Sequence, residues 1–435
     1  MEDRELVYSI LFDCCEKSAF SNLSFGKNDV DDFVRASVYG TLTYVYSEDF
    51  LIKKLSGRDV SSLDPSVRTI LRFGVWQIVF SSKVPDYAAV NTSVRLASRH
   101  ASRAKGFINA VLRKVASLTP EERNISNYKS PEAAFSLKSE IFGVLKKSYG
   151  AKKASSIARS LLEVPGLSIR VNTLKTDKDA LKVLLEKEGF EVYPSAFIEE
   201  ALRIRPTSDS PSIENSKAYK DGLFMVQGEA AQLASVVSGA LEGMKILDCC
   251  SAPGGKTTHL AALTRDKADI LALDINASRI ELVKQNAGRL GVRSVKTDVG
   301  DSSSFDNGLR YDLVLCDAPC SGLGLMGRKP DIRLTITYDR ICEIVQRQYQ
   351  ILGNVSRCVK PGGILVYSTC TLNRMENENQ VERFLDEHKD FELYGFDNLL
   401  PLRLNSCGNE GMLTVFPDED ECEGFFISRL RRKNG

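Results

Sequence analysis

The spacing of apolar positions changes along the chain, and each change marks a different architecture. From Arg4 to about Leu118 apolar residues recur every three or four positions, first as Leu6, Ile10, Leu11 and Cys14 and then as Phe33, Val38, Leu42 and Val45. That period predicts amphipathic helices throughout. From about Thr119 to Lys220 the texture is mixed: a helix around 140–149, strands at 167–173, 190–193 and 202–205, a helix over 177–188, and a Ser/Pro-rich surface loop at 208–216. From Gly243 short apolar runs alternate with helical stretches. Strands are predicted at 246–250, 270–275, 292–298, 313–317 and 364–370, helices near 257–263, 277–290, 339–359 and 375–387, and late strands at 412–416 and 425–430. The chain is therefore expected to be multidomain, with an all-α domain over 1–125, a small α/β module over 126–220 and a doubly wound parallel α/β sheet over 221–435.

The stretch Leu247-Asp248-Cys249-Cys250-Ser251-Ala252-Pro253-Gly254-Gly255-Lys256-Thr257-Thr258 joins the first strand of that sheet to its first helix. Pro253-Gly254-Gly255 makes a sharp reversal, and the helix that follows offers free N–H groups to an anion. A nucleotide-like ligand at the carboxyl end of a first strand is the expected occupant. Gly255-Lys256-Thr257 suggests a P-loop, but that motif needs a glycine where Cys250 stands. The G-x-G-x-x-G of dinucleotide binding is missing too, which removes the main support for hydride chemistry.

Composition narrows the class. At 435 residues, 43% hydrophobic and 26% charged, the chain can bury a large core and is expected to be soluble and cytoplasmic, with no membrane span. Eleven cysteines suit a reducing compartment, and with three histidines and no paired CxxC no metal is expected. The net charge of +1 hides a basic patch, where Lys83, Arg95, Arg99, Arg103, Lys105, Arg113 and Lys114 face a single Asp86. On one helix starting near Pro85, Arg95, Arg99 and Arg103 are expected to share a face able to grip RNA phosphates. The lone Trp76 reads as a core residue.

Acidic and thiol groups fall at successive strand ends. Asp274 follows the second strand about twenty residues after the glycine turn, where an acid accepts bonds from ribose hydroxyls. Asp298 ends the third strand on the adenine side, with Asp301 a competitor. Asp317-Ala318-Pro319-Cys320 ends the fourth strand and Tyr367-Ser368-Thr369-Cys370 the fifth, so Cys320 and Cys370 should face one crevice. Cys14, Cys15, Cys316, Cys342 and Cys358 are expected to be inert packing thiols.

The stretch from Arg4 to about Leu118 resembles the NusB-like RNA-binding domain through Val38-Tyr39-Gly40-Thr41-Leu42, Leu71-Arg72-Phe73-Gly74-Val75-Trp76-Gln77 and Gly106-Phe107-Ile108-Asn109-Ala110-Val111-Leu112-Arg113. A late hairpin on a doubly wound sheet is the shape of class I methyltransferases. Taken whole, the chain resembles the bacterial 16S rRNA cytosine-5 methyltransferases of the Sun/RsmB type, in the NOL1/NOP2/Sun family, through the turn at 250–256, Asp317 to Cys320, and Ser368-Thr369-Cys370 followed by Glu376-Asn377-Glu378. Ser251 stands where that family usually has Ala, and Asp298-Val299-Gly300-Asp301 where one acid usually precedes Gly. The resemblance implies S-adenosyl-L-methionine held by Cys250, Ser251, Ala252, Pro253, Gly254, Gly255 and Lys256 with Asp274, Asp298 and Asp317. It also implies Cys370 as nucleophile, Cys320 as the group assisting release, and Asp317 as the partner of the base N3. DNA cytosine methyltransferases place their nucleophile in a Pro-Cys pair, which makes Cys320 a rival. The implied substrate is unassembled or partly assembled 16S ribosomal RNA, met by a monomer. An RNA-binding assembly factor with an inactive body, and a methyltransferase of another RNA such as tRNA, are the alternatives.

Overall fold

The computed structural model describes residues 2–17, 21, 31–195, 198–400, 404 and 410–434. They divide into two compact units, one of residues 1–164 with 325–338 and the other of 165–324 with 339–435.

The first unit is helical, built from α1 (Glu2–Lys17), α2 (Asp32–Thr43), α3 (Val45–Ser56), α4 (Pro65–Val79), α5 (Asp86–His100), α6 (Lys105–Ala116) and α7 (Ser139–Ser160) with shorter turns between. Helix α4 starts where Asp64 caps the Ser66 N–H and Pro65 takes the first helical position, which needs no N–H donor. It is buried along most of its length and packs Ile70, Phe73 and Trp76 against Leu11, Val38, Leu42 and Leu112. Trp76 is a core residue; a Cβ on Gly40 would sit 2.1 Å from its ring nitrogen, so α2 and α4 approach this closely only with glycine there.

The arginine stripe departs from expectation. Helix α5 ends at His100, where Ala101 leaves helical geometry (φ −151°, ψ 49°), and Arg103 falls in the separate turn Ser102–Ala104. Arg99 is drawn to Glu5 at 2.6 Å. All three arginines stay exposed, but they do not form one helical row.

Residues 325–338 pack into this helical unit. Buried Arg333 donates to the carbonyls of Phe135, Ser136 and Leu161 at 3.1, 2.9 and 2.7 Å, and Ser21 Oγ donates to Asp331 at 2.8 Å.

The second unit carries two sheets. The smaller is antiparallel, ordered β2 (Glu191–Pro194), β3 (Ala201–Arg205), β1 (Leu167–Val171), β4 (Phe224–Val226), with α8 (Lys178–Lys187) beside it. The larger runs β10 (Phe391–Leu393), β12 (Phe425–Arg432), β9 (Val359–Thr369), β8 (Tyr311–Asp317), β5 (Lys245–Asp248), β6 (Asp269–Asp274), β7 (Val295–Val299), and β11 (Met412–Val415) also pairs with β12. β5 to β9 are parallel to one another, and β12 is antiparallel to β9, β10 and β11. Helices α9 (Glu229–Val236), α10 (Gly255–Leu263), α11 (Ala277–Leu290), α12 (Tyr338–Ser356) and α13 (Glu378–Glu387) accompany it. Strand order reverses at β5 and β8, and a crevice for a ligand opens beyond the carboxyl ends of strands at such a reversal. Among the described residues no helix is long and apolar enough to cross a membrane.

Candidate active site

The turn after β5 leaves its main chain open on one side. Ser251 N–H donates to the Leu273 carbonyl at 2.9 Å and Gly254 N–H to the Ser251 carbonyl at 2.7 Å, which draws the turn against β6. Gly254 sits at φ +98°, where a Cβ would press within 3.2 Å of the Val283 main chain, so glycine is required there. As N-cap of α10, Gly254 has no side chain to cover the N–H groups of the first turn. Arg279 and Asn286 of α11 hold the far side, donating to the carbonyls of Ala252 and Pro253 at 2.9 Å each. Ser251 Oγ is buried with no protein partner. Uncapped N–H groups and an orphaned hydroxyl fit a ligand with an anionic or polar end.

Acids stand at the next two strand ends. Asp274 is buried, accepting from the Asn276 N–H at 3.0 Å with Arg279 3.5 Å away. Asp298 is exposed and accepts from its neighbour Val299 N–H. Asp301 instead pairs with Arg347 at 2.6 Å, which pulls its carboxyl down to about 2. Of the two acids in Asp298-Val299-Gly300-Asp301, Asp298 has the carboxylate that is not tied to an arginine.

Asp317 and Ser368 are directly opposite in the β8–β9 register, so the loops that follow, carrying Cys320 and Cys370, leave adjacent strands together. The two sulfurs lie 3.1 Å apart. Asp317 accepts from Lys256 Nζ at 2.7 Å and from Ser368 Oγ at 2.8 Å, which joins the glycine turn to the thiols. Burial works against the charge of Lys256, but Asp317 and then Cys370 outweigh it and its pKa rises. Contact with Cys370, then burial, pushes the Cys320 thiol well up. The Cys250 thiol is likewise pushed up by contact with Cys249 and by burial.

Glu376 ties the two thiol loops together. Its buried carboxyl accepts from the Ser321 N–H at 2.8 Å, from the Ser321 hydroxyl, and from Gln348 and Asn373 at 3.1 Å each. Asn377 spans Thr369 and Thr371, at 2.6 and 3.0 Å. The motif letters after Cys370 thus hold the Cys320 loop in place. Asp248, under the turn, accepts from the Thr257 hydroxyl at 2.6 Å, and burial raises its carboxyl to about 7.

Sequence reasoning found no chemistry in the small α/β module, yet Arg170 on β1 reaches α10. It is 1% exposed, donates to Gln227 Oε1 and Thr258 Oγ1 at 2.9 Å, and lies 3.5 Å from the Gly255 carbonyl. Burial, with Arg289 adding to it, lowers its guanidinium to about 9. An Arg at an inward position of a short strand was the available signal.

A doubly wound sheet closed by an antiparallel late strand, with a glycine turn and acids at successive strand ends, defines a class I methyltransferase body. The family model described as 16S rRNA methyltransferase RsmB/F matches residues 239–431, that of the NusB family residues 1–117, and the RsmF/B-like ferredoxin-like domain residues 142–209. The chain is 30% identical to the probable ribosomal RNA small subunit methyltransferase B of Bacillus subtilis (strain 168), over 99% of this chain and 98% of that protein. It is 31% identical to the protein of the same description from Synechocystis, over 99% of both. Among solved structures, PH0851 matches with TM-score 0.81 and 28% identity over 98% of both chains. NSun6 from Pyrococcus horikoshii, solved with SFG, matches with TM-score 0.61 and 25% identity over 68% of this chain and 98% of that one. The chain belongs to the RsmB/F family of S-adenosylmethionine-dependent rRNA methyltransferases.

Proposed function

We propose that this enzyme methylates C5 of a cytosine in 16S ribosomal RNA through a covalent bond between Cys370 and C6 of the base. The observation that carries the reading is the pair of sulfurs 3.1 Å apart beside the Lys256–Asp317 ion pair. Cytosine C5 is a poor nucleophile. Addition of the Cys370 thiolate to C6 turns the C5–C6 double bond into an enamine whose C5 attacks an electrophilic methyl group. Asp317 takes the proton that the Cys370 thiol gives up and passes it to N3 as the sulfur adds, and Lys256 holds Asp317 in place. The C5 proton then passes to solvent water, N3 returns its proton to Asp317, and the C6–S bond breaks as the C5–C6 double bond re-forms; Cys320, touching the Cys370 sulfur, assists that release. The target base must leave its stack to reach the crevice.

The donor, S-adenosylmethionine, supplies the methyl group on a positively charged sulfur. The reading gives its amino-acid end to Cys250, Ser251, Ala252, Pro253, Gly254, Gly255 and Lys256, its ribose to Asp274 and its adenine side to Asp298, with Asp317 at the reacting end. Asp274→Ala is expected to weaken donor binding more than about tenfold in calorimetry, since a hydrogen bond to a charged group contributes roughly 1.5–3 kcal/mol. Unchanged affinity removes Asp274 from the site.

The three-part division at about 125 and 220 belongs to this reading, supported by family matches that end at 117 and begin at 142 and 239. The helical part delivers RNA through its exposed arginines. Replacing Arg95, Arg99 and Arg103 together by Gln is expected to weaken RNA binding and to flatten its salt dependence by about two, with donor affinity intact. Because Glu5 holds Arg99, the double change at Arg95 and Arg103 should produce most of the effect. An unchanged salt slope makes these residues an ordinary solvated surface.

The relatives' names support small-subunit ribosomal RNA as the polynucleotide. Mapping 5-methylcytosine in that RNA from cells with and without the gene tests the substrate. One site that disappears with the gene is expected; an unchanged map refutes the assignment.

A further inference from the structure

We infer that Arg170, from the small α/β module, is a positioning residue for the carboxylate of the methyl donor. The inference rests on the donor reading above.

Arg170 stands where a cation is hard to accommodate. Its polar contacts are an amide oxygen, a hydroxyl and a carbonyl, and the other charge acting on it is that of Arg289, which is also positive. A buried charge without an opposite charge is costly. The first turn of α10 adds to the difficulty, because a helix N-terminus carries positive potential of its own. Two positive sources behind one uncapped turn favour an anion in front of it.

The contacts show how Arg170 acts on that turn. Thr258 Oγ1, which accepts from Arg170, donates to the carbonyl of Gly254 at 2.7 Å, so the guanidinium braces the N-cap itself. Gln227 Oε1 accepts from Arg170, and this sets which way the amide faces. The Gln227 Nε2 is then left buried without a protein partner, beside Gly255, where a Cβ would lie 3.7 Å from it. The one anionic group at the amino-acid end of the donor is its α-carboxylate. Arg170 supplies potential and alignment to that group without touching it.

The test compares two ligands on the full-length enzyme by calorimetry: S-adenosylhomocysteine, which has the carboxylate, and 5′-methylthioadenosine, which lacks it. Arg170→Met is expected to weaken the first by about tenfold or more and the second by less than about twofold. Equal losses for both ligands reduce Arg170 to a scaffold residue and overturn the inference, and so does no loss for either. Arg170→Lys carries the test if the Met variant does not fold. A lysine buried there titrates at a lowered pH, so its preference for the carboxylate ligand should fade between about pH 6 and pH 8, a range over which the wild-type guanidinium, titrating at about 9, keeps its charge and its preference. A preference that does not change with pH in the Lys variant contradicts the inference. If the wild-type enzyme binds neither ligand, the donor reading itself fails, which is a separate result.

Discussion

Cys320→Ser enzyme is expected to stall with its RNA attached, and Cys370→Ser enzyme to lose turnover by a factor on the order of 10³ or more with no RNA attached. The two sulfurs are 3.1 Å apart, so position alone does not separate their roles. Chemistry does. If Cys370 forms the bond to C6, removing its sulfur leaves nothing to join. Removing the Cys320 sulfur leaves the bond able to form and slow to break. Denaturing gels of each variant with substrate RNA and donor read the difference directly. An adduct in Cys370→Ser and none in Cys320→Ser reverses the assignment.

Gly324→Ala should disable the site without altering any reacting group. Gly324 N–H donates to the Cys370 carbonyl at 3.1 Å, and its own carbonyl accepts from the Gly424 N–H at 3.1 Å. A Cβ on Gly324 would lie 2.1 Å from the Gly424 carbonyl oxygen, a backbone atom with no rotamer to escape by. The two loops must part, and the Cys370 loop loses its support. Such overpacking costs about 1–3 kcal/mol, or a melting temperature lower by about 2–10 °C for a unit of this size. Turnover should fall about a hundredfold or more, since small displacements of reacting groups cost that much, while affinity for S-adenosylhomocysteine stays within about twofold. Wild-type turnover in a folded Gly324→Ala enzyme would show that the loop contact does not position Cys370.

The βα rhythm after Gly243 was legible because buried parallel strands are short apolar runs and the helices between them are amphipathic. The helix over 277–290 has the bounds its period suggests. The strand-end motifs were legible for the same reason: topology carries Asp317 and Cys370 to one crevice whatever their side chains do. Contacts made far along the chain were not legible. Nothing in the spacing of Arg95, Arg99 and Arg103 signals that the helix ends at His100, or that Glu5 draws Arg99 away. The apolar pattern around 325–338 does not say which unit buries it, since the partners of Arg333 are carbonyls of residues 135, 136 and 161. Arg170 looked like an ordinary strand residue because its partners, Gln227 and Thr258, are 57 and 88 positions away.

The central claim is a covalent bond from Cys370 to C6 of a cytosine. Its most direct test is intact-mass and peptide-level mass spectrometry of wild-type enzyme incubated with donor and small-subunit rRNA fragments carrying 5-fluorocytosine, whose C5 substituent cannot leave as a proton. A one-to-one enzyme–RNA adduct, with a methylated fluorinated base on the peptide containing Cys370, is the result predicted. No adduct, or an adduct on the Cys320 peptide, would contradict it.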